Sequence, residues 1–288
     1  MNLEAGNHFW FNEYNPGNTS GVFYKINKFL HSEQSKYQRI DVFETPEFGR
    51  VFTLDGLTMT READEFIYHE MITHVPMFIS KNPKKVLIIG GGDGGTAREV
   101  LKHDSVEEVI MCEIDERVME VARKFLPTTS IEFDNPKLKL VAEDGAKFIK
   151  NYKNYFDIII IDSTDPTEGE GGLLFTEDFY KSCYDALNEN GVFSAETEDP
   201  FIHHEWMNLA FNRINNVFKN TKLYMGFVPQ YPPGTWSWTF ASKGLDPIKD
   251  FDPEKIRNFG KDLKYYNEEI HVGCFSLPTF VKKIINGA

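Results

Sequence analysis

Between Gly21 and Thr60, apolar and polar positions alternate over short stretches, GVFYKINKFLHSE, YQRIDVFETPEFGRVFTLDG and LTMT, each bounded by Gly, Pro, Asp or Asn. A period of two broken by turn residues predicts antiparallel hairpins, and residues 1–62 are read as a small β domain. After Arg61 the period lengthens. In DEFIYHEMITHVPMFI, the residues Phe66, Ile67, Met71, Val75 and Met77 approximate one face of a helix, and Pro83 closes the segment.

From Lys84 the texture changes again, into KVLIIG, TAREVLKH, VEEVIMCEID, ERVMEVARKFL, LKLVAED, AKFIKNY, FDIIIID, EDFYKSCYDALNENG and GVFSAET. Unbroken Val/Ile runs are strands buried on both faces. Alternating with helices of about ten residues, they predict an α/β fold with a parallel, doubly wound sheet and right-handed crossovers, over residues 63–288.

Composition narrows the ligands. The 288 residues carry a net charge of −13, which argues against nucleic acid or an anionic membrane and favours small cationic partners. Residues 1–62 hold 8 acidic and 6 basic side chains, so −11 of the charge belongs to the α/β part. Cys112, Cys183 and Cys274 are far apart with no CxxC spacing, which predicts neither a disulfide framework nor a zinc knuckle and fits a reducing cytoplasm. The N-terminus has no basic-then-apolar signal pattern, and the longest apolar runs are strand-sized, so the expectation is a soluble cytosolic protein.

Strand Val86–Ile89 runs into Gly90-Gly91-Gly92-Asp93-Gly94-Gly95 and then a helix, a turn where backbone can approach a ligand closely. Such a loop serves a dinucleotide or an adenosyl-sulfonium compound. Asp93 inside the loop would repel a pyrophosphate, so a cationic ligand is preferred. Glu113, at the next strand tip and 21 residues after Gly92, suits a bidentate grip on ribose hydroxyls, and Asp144 of Glu143-Asp144-Gly145 suits an adenine amino group. Asp162 and Asp165, in Asp162-Ser163-Thr164-Asp165-Pro166, leave the same carboxyl edge together. Paired acids suit binding an ammonium and taking its proton.

These segments resemble the polyamine aminopropyltransferase family, its spermidine-forming branch most closely. The resemblance runs through Tyr37-Gln38, LDG at 54–56, DEFIYHEM at 64–71, VLIIGGGDGG at 86–95, CEID at 112–115, EDG at 143–145, DSTDP at 162–166, LFTEDFY at 174–180, PQYPPGTWSWTFASKG at 229–244 and the tail KYYNEEIHVGCFSLPTFV. It implies a Rossmann-like sheet of the AdoMet-methyltransferase type and transfer of an aminopropyl group from decarboxylated S-adenosylmethionine, as co-substrate, to a diamine such as putrescine. It further implies spermidine and methylthioadenosine as products, no metal or cofactor, and a homodimer or homotetramer.

Carried across, Gln38, Asp93, Glu113, Asp144 and Asp162, with Gly90, Gly92 and Gly145 of the loops, hold the donor. Tyr68, Asp162, Asp165 and Tyr231 line the amine channel, with Asp162 as base and Tyr68 orienting it. Three positions depart from the family pattern: His69 stands where some members carry glutamine, Glu196 replaces a frequent glutamine, and Thr167–Gly172 replaces a Gly-Pro-Ala type of loop. His69 and Glu196 are placed with the amine, Glu196 at its distal nitrogen. The departures leave agmatine, cadaverine or a longer polyamine open as acceptors.

An AdoMet-dependent amine methyltransferase shares the nucleoside grip and is the enzymatic alternative. A non-catalytic polyamine-binding protein is the other. His203-His204-Glu205 lacks the second histidine of HExxH, no GxSxG elbow occurs, and Trp236 and Trp238 alternate with Ser237 and Thr239 as strand residues, open between core and channel wall.

Overall fold

A computed structural model of the chain describes residues 9–14, 19–163 and 171–287. The alternating N-terminal region forms a hairpin of β1 (Phe9–Tyr14) and β2 (Gly21–Ile26), and a four-stranded antiparallel meander of β3 (Lys28–Gln34), β4 (Arg39–Thr45), β5 (Gly49–Leu54) and β6 (Leu57–Arg61). Helix α1 (Glu65–Ile79) follows. The sequence predicts one apolar face for it, yet every residue except Phe66 is buried. The reason is packing on all sides: α1 lies against the large sheet and α2, and Glu70 accepts backbone N–H bonds from Lys264, Tyr265 and Tyr266 of the C-terminal segment.

The large sheet contains β7 (Lys85–Gly90), β8 (Glu108–Glu113), β9 (Leu138–Ala142), β10 (Phe156–Asp162), β11 (Leu187–Glu196), β12 (Asn220–Phe227) and β13 (Thr235–Ser242), ordered β12-β13-β11-β10-β7-β8-β9. Strands β7 to β11 are parallel; β13 runs antiparallel to β11, and β12 to β13. The sheet is therefore mixed rather than wholly parallel. A β12–β13 hairpin sets β13 antiparallel between β12 and β11. The connecting helices are α2 (Gly95–Leu101), α3 (Glu116–Phe125), α4 (Gly145–Phe148), α5 (Glu177–Ala186) and α6 (His204–Val217), followed by α7 (Pro253–Arg257), α8 (Glu268–Gly273) and α9 (Thr279–Ile285).

Helix α5 ends at Ala186, short of Gly191, where the helical segment read from the sequence stops. Leu187 pairs with Phe156, and the register then jumps to Val192 opposite Ile158, so residues 188–191 form an irregular bulge within β11. Strand pairing overrides the local helical pattern here.

Along β7 the side chains alternate between two apolar layers. Val86 and Ile88 join a core with α1, α2 and residues Ile40, Val42, Phe52 and Leu54 of the small sheet. Leu87 and Ile89 face the layer containing Phe179, Tyr180 and Cys183 of α5. Each such fully buried aliphatic side chain contributes on the order of 1.5–3 kcal/mol by leaving water. Because β8 and β9 lie on one side of β7 and β10 and β11 on the other, the strand order reverses at β7–β10, which opens a crevice at their carboxyl ends. No helix among the described residues is long and apolar enough to cross a membrane.

Candidate active site

A cavity of about 650 Å³ lies at that crevice, closed on one side by the small sheet and by α1. Gln38, Tyr68, His69, Gly90, Gly92, Asp93, Glu113, Asp144, Gly145, Asp162 and Tyr231 all line it. Asp165 and the acids of Thr167–Gly172 fall within residues 164–170, outside the described residues. Glu196 does not line the described cavity. It is 2 % exposed at the end of β11, accepts the Glu198 N–H at 3.2 Å, and exerts its charge on the phenol of Tyr68. Its effect on Tyr68, which does line the cavity, places Glu196 close to the site.

The loop geometry follows from β7–β10 pairing. Gly90 stands opposite Asp162 with φ +83°, and an added Cβ there would sit 2.1 Å from the Asp162 carbonyl oxygen. Only glycine permits this approach. Gly91 N–H then donates to the same carbonyl at 2.7 Å, anchoring the backbone of Asp162 against the loop.

The Asp162 carboxylate is held at both ends. Tyr68 Oη donates to Oδ1 at 2.8 Å, and Thr96 Oγ1 donates to Oδ2 at 2.6 Å. Burial, reinforced by the negative Asp93, pushes the Asp162 pKa up, while His69 and the two hydroxyls pull against it. The Tyr68 phenol is pushed well above its usual value by burial and then by Asp162, so it stays a donor. Tyr231 Oη donates to the Met59 carbonyl at 2.7 Å, and its ring meets Tyr68 edge-on at 5.5 Å.

Asp93 is 7 % exposed. Its Oδ1 accepts Gly95 N–H at 2.9 Å, and its Oδ2 accepts Thr60 Oγ1 and faces His69 Nε2 at 3.4 Å. Burial opposes its charge, but His69 and these donors outweigh burial and hold its pKa down to about 2. The other His69 nitrogen, Nδ1, is 2.5 Å from Glu65 Oε2. Both His69 nitrogens therefore face carboxylates.

Glu113 reaches into the cavity from the end of β8, accepting Asp115 N–H at 3.0 Å, and burial raises its pKa to about 7. Gln38 is tied across to the same corner, donating to Asp115 Oδ2 at 3.2 Å. Asp144 caps α4 by accepting Ala146 N–H at 2.9 Å and pairs with Lys147 through its other oxygen. Cys112 also lines the cavity, but burial, with Glu113 adding, lifts its pKa to about 12 and keeps the thiol protonated.

The sequence singles out none of Thr60, Glu65, Thr96 and Arg98 as a site residue, although Glu65 lies within DEFIYHEM. Glu65 and His69 stand at i and i+4, a spacing that pairs them on one helix face; Thr96 was readable only as the second residue of the helix after the glycine loop. Trp236 and Trp238 do not line the cavity, and both are buried. His203 does gather acids, although from upstream: Asp199 Oδ2 lies 2.8 Å and Glu198 Oε2 3.1 Å from its Nδ1. Asp199, then Glu198, raise the His203 pKa to about 10, so this cluster is an ion pair around an imidazolium.

Residues 65–253 match the spermine/spermidine synthase domain, and residues 9–62 match the spermidine synthase tetramerisation domain. The polyamine aminopropyltransferase of Thermotoga petrophila is 63 % identical over 281 residues, covering 98 % of this chain and 95 % of that protein. That of Clostridium botulinum strain Eklund 17B is 49 % identical over 264 residues, covering 91 % and 93 %. A crystal structure of a spermidine synthase in complex with the transition-state analogue AdoDATO superposes with a TM-score of 0.97 at 61 % identity, covering 100 % of this chain and 98 % of that one. The spermidine synthase of Thermotoga maritima gives 0.93 at 59 %, covering 99 % and 97 %.

Proposed function

The chain belongs to the spermine/spermidine synthase family and is a polyamine aminopropyltransferase, and on that premise we propose that it transfers the aminopropyl group of decarboxylated S-adenosylmethionine to putrescine, releasing spermidine and methylthioadenosine. The observation that carries this reading is the convergence of Asp93, Glu113 and Asp162, from three adjacent strand ends, on one cavity whose described lining contains no lysine or arginine apart from Lys36. Such a wall suits a donor with a sulfonium and an ammonium and an acceptor with two ammoniums.

In this reading Glu113 grips the ribose, with Gln38 and Asp144 on the nucleoside and Asp93 on the aminopropyl ammonium. The attacking amine must be neutral, whereas a free primary amine has a pKa of about 10. Asp162 Oδ1, oriented by Tyr68, takes that proton as the nitrogen lone pair attacks the carbon bound to sulfur. The C–N bond forms while the C–S bond breaks; its electron pair stays on sulfur, and the sulfonium becomes a neutral thioether. Holding nucleophile and carbon in line supplies much of the rate.

Intact AdoMet brings a carboxylate toward Asp93, which is why the decarboxylated donor is preferred over a methylation substrate. Phe9 and Phe23 are exposed by 71 % and 68 % on the N-terminal hairpin, within the segment matching the tetramerisation domain; this supports self-association through that hairpin, with sedimentation distinguishing dimer from tetramer. Methylthioadenosine release from the decarboxylated donor, measured against putrescine, cadaverine, agmatine and spermidine, tests the function. Turnover with putrescine well below that with another amine would reassign the acceptor, and release with none would overturn the reaction.

A further inference from the structure

From Asp93 an alternating ion chain leads away from the cavity into the protein. Asp93 faces His69, and His69 meets Glu65. Arg98 clamps Glu65 with two parallel bonds, Nη1 to Oε1 at 2.8 Å and Nη2 to Oε2 at 2.9 Å. Arg98 Nε continues to Glu99 Oε1 at 2.8 Å, and Glu99 Oε2 receives Lys102 Nζ at 2.7 Å and His74 Nε2 at 3.0 Å. Glu65, His69, Asp93 and Glu99 are all buried.

The geometry fixes the charge of His69. A neutral ring would turn a lone pair toward one of the two carboxylates, so the arrangement requires both nitrogens to carry protons. The signs then alternate from Asp93 through His69, Glu65, Arg98, Glu99 and Lys102 and cancel in pairs, which makes burial of so many charges tolerable. The backbone makes room for the ring. A Cβ on Gly95, the first residue of α2, would stand 2.3 Å from His69 Cε1 and 2.4 Å from Nδ1.

Thr60 and His69 fill the two accepting directions of Asp93 Oδ2, and Gly95 N–H takes one of the two on Oδ1. Among the described residues no second donor meets Oδ1, on a side chain that lines the cavity. We infer that Glu65 and His69 are positioning residues for the donor: the Arg98–Glu65 clamp locks His69 as an imidazolium, and His69 holds Asp93 ionised and aimed at the donor's aminopropyl ammonium. This rests on the reading of Asp93 as the ammonium's partner. His69 thereby serves the donor end of the site and not the acceptor amine.

The test uses the full chain and its Asp93→Asn, His69→Gln, Glu65→Gln, Gly95→Ala and Glu65→Gln/His69→Gln variants. Calorimetric titration with decarboxylated S-adenosylmethionine is combined with the KM of donor and amine and with thermal unfolding. His69→Gln and Glu65→Gln are each expected to weaken donor binding about tenfold, the scale of one charge-assisted contact, with the amine KM unchanged and the double variant no weaker than His69→Gln. Gly95→Ala, which displaces the ring without removing a charge, should weaken the donor in the same way and keeps the test open if Glu65→Gln does not fold. Unchanged or tighter donor binding in His69→Gln, alongside a loss in Asp93→Asn, would overturn the positioning role; a raised amine KM in His69→Gln would do the same. Unchanged binding in Asp93→Asn would instead remove the reading of Asp93 on which the inference rests.

Discussion

Tyr68 and Asp162 stand 94 residues apart in sequence and are joined by a 2.8 Å hydrogen bond from phenol to carboxylate. One comes from a helix before the large sheet and the other from the end of its fourth strand in chain order. The bond fixes the orientation of the Asp162 carboxylate at the cavity wall, where a proton can be received.

Replacing Asp162 by Asn keeps the shape and the Thr96 and Tyr68 neighbours but removes the proton acceptor. Turnover is expected to fall on the order of 10²-fold or more, the scale of general-base loss, with the fold retained by circular dichroism. A near-unchanged kcat at neutral pH would leave Asp162 as a positioning group.

Tyr68→Phe and Thr96→Val each remove a donor that favours the charged form of Asp162. The carboxyl pKa must therefore rise in either variant. Because the base acts deprotonated, the acid limb of the kcat/KM profile should move to higher pH, and kcat at neutral pH should drop by roughly tenfold. Profiles of both variants that overlay the parent's would separate these hydroxyls from the base.

Burial holds the Glu113 pKa at about 7, above its ordinary 4.5. The folded chain thus binds this proton more tightly than the unfolded one, so the stabilising contribution is complete below the ordinary value and is lost as pH rises through about 7. Glu113→Gln should melt higher than the parent at about pH 8, with the gap closing toward about pH 5, while losing donor affinity at both. A gap independent of pH would mean that Glu113 titrates normally in the fold.

Trp238 is fully buried, stacks on Tyr224 at 5.4 Å between ring centres and meets the Tyr68 ring at 5.7 Å. Trp238→Ala leaves a cavity directly behind Tyr68. Unfolding free energy should fall by roughly 3–5 kcal/mol, and kcat should fall as the phenol loses its support. A denaturation midpoint close to the parent's would show that the neighbouring rings collapse into the space.

Local sequence was enough to specify the sheet's central strands and the acids at their ends. Continuous Val/Ile runs admit few readings other than two-sided burial, and a parallel strand must deliver its last residues to the same edge as its neighbours. That is why Asp93, Glu113, Asp144 and Asp162 were legible in the chain and why all four line one cavity. Features without a local cause came from packing between distant segments. The antiparallel β12–β13 edge and the early end of α5 arise from strand pairing, which outweighs local propensity. The surroundings of His69 come from packing for the same reason, and a histidine's role is set by what faces its two nitrogens. Its partner four residues upstream on α1 could be read from helix geometry, whereas the Asp93 carboxylate facing the other nitrogen was brought there only by docking α1 against the glycine loop.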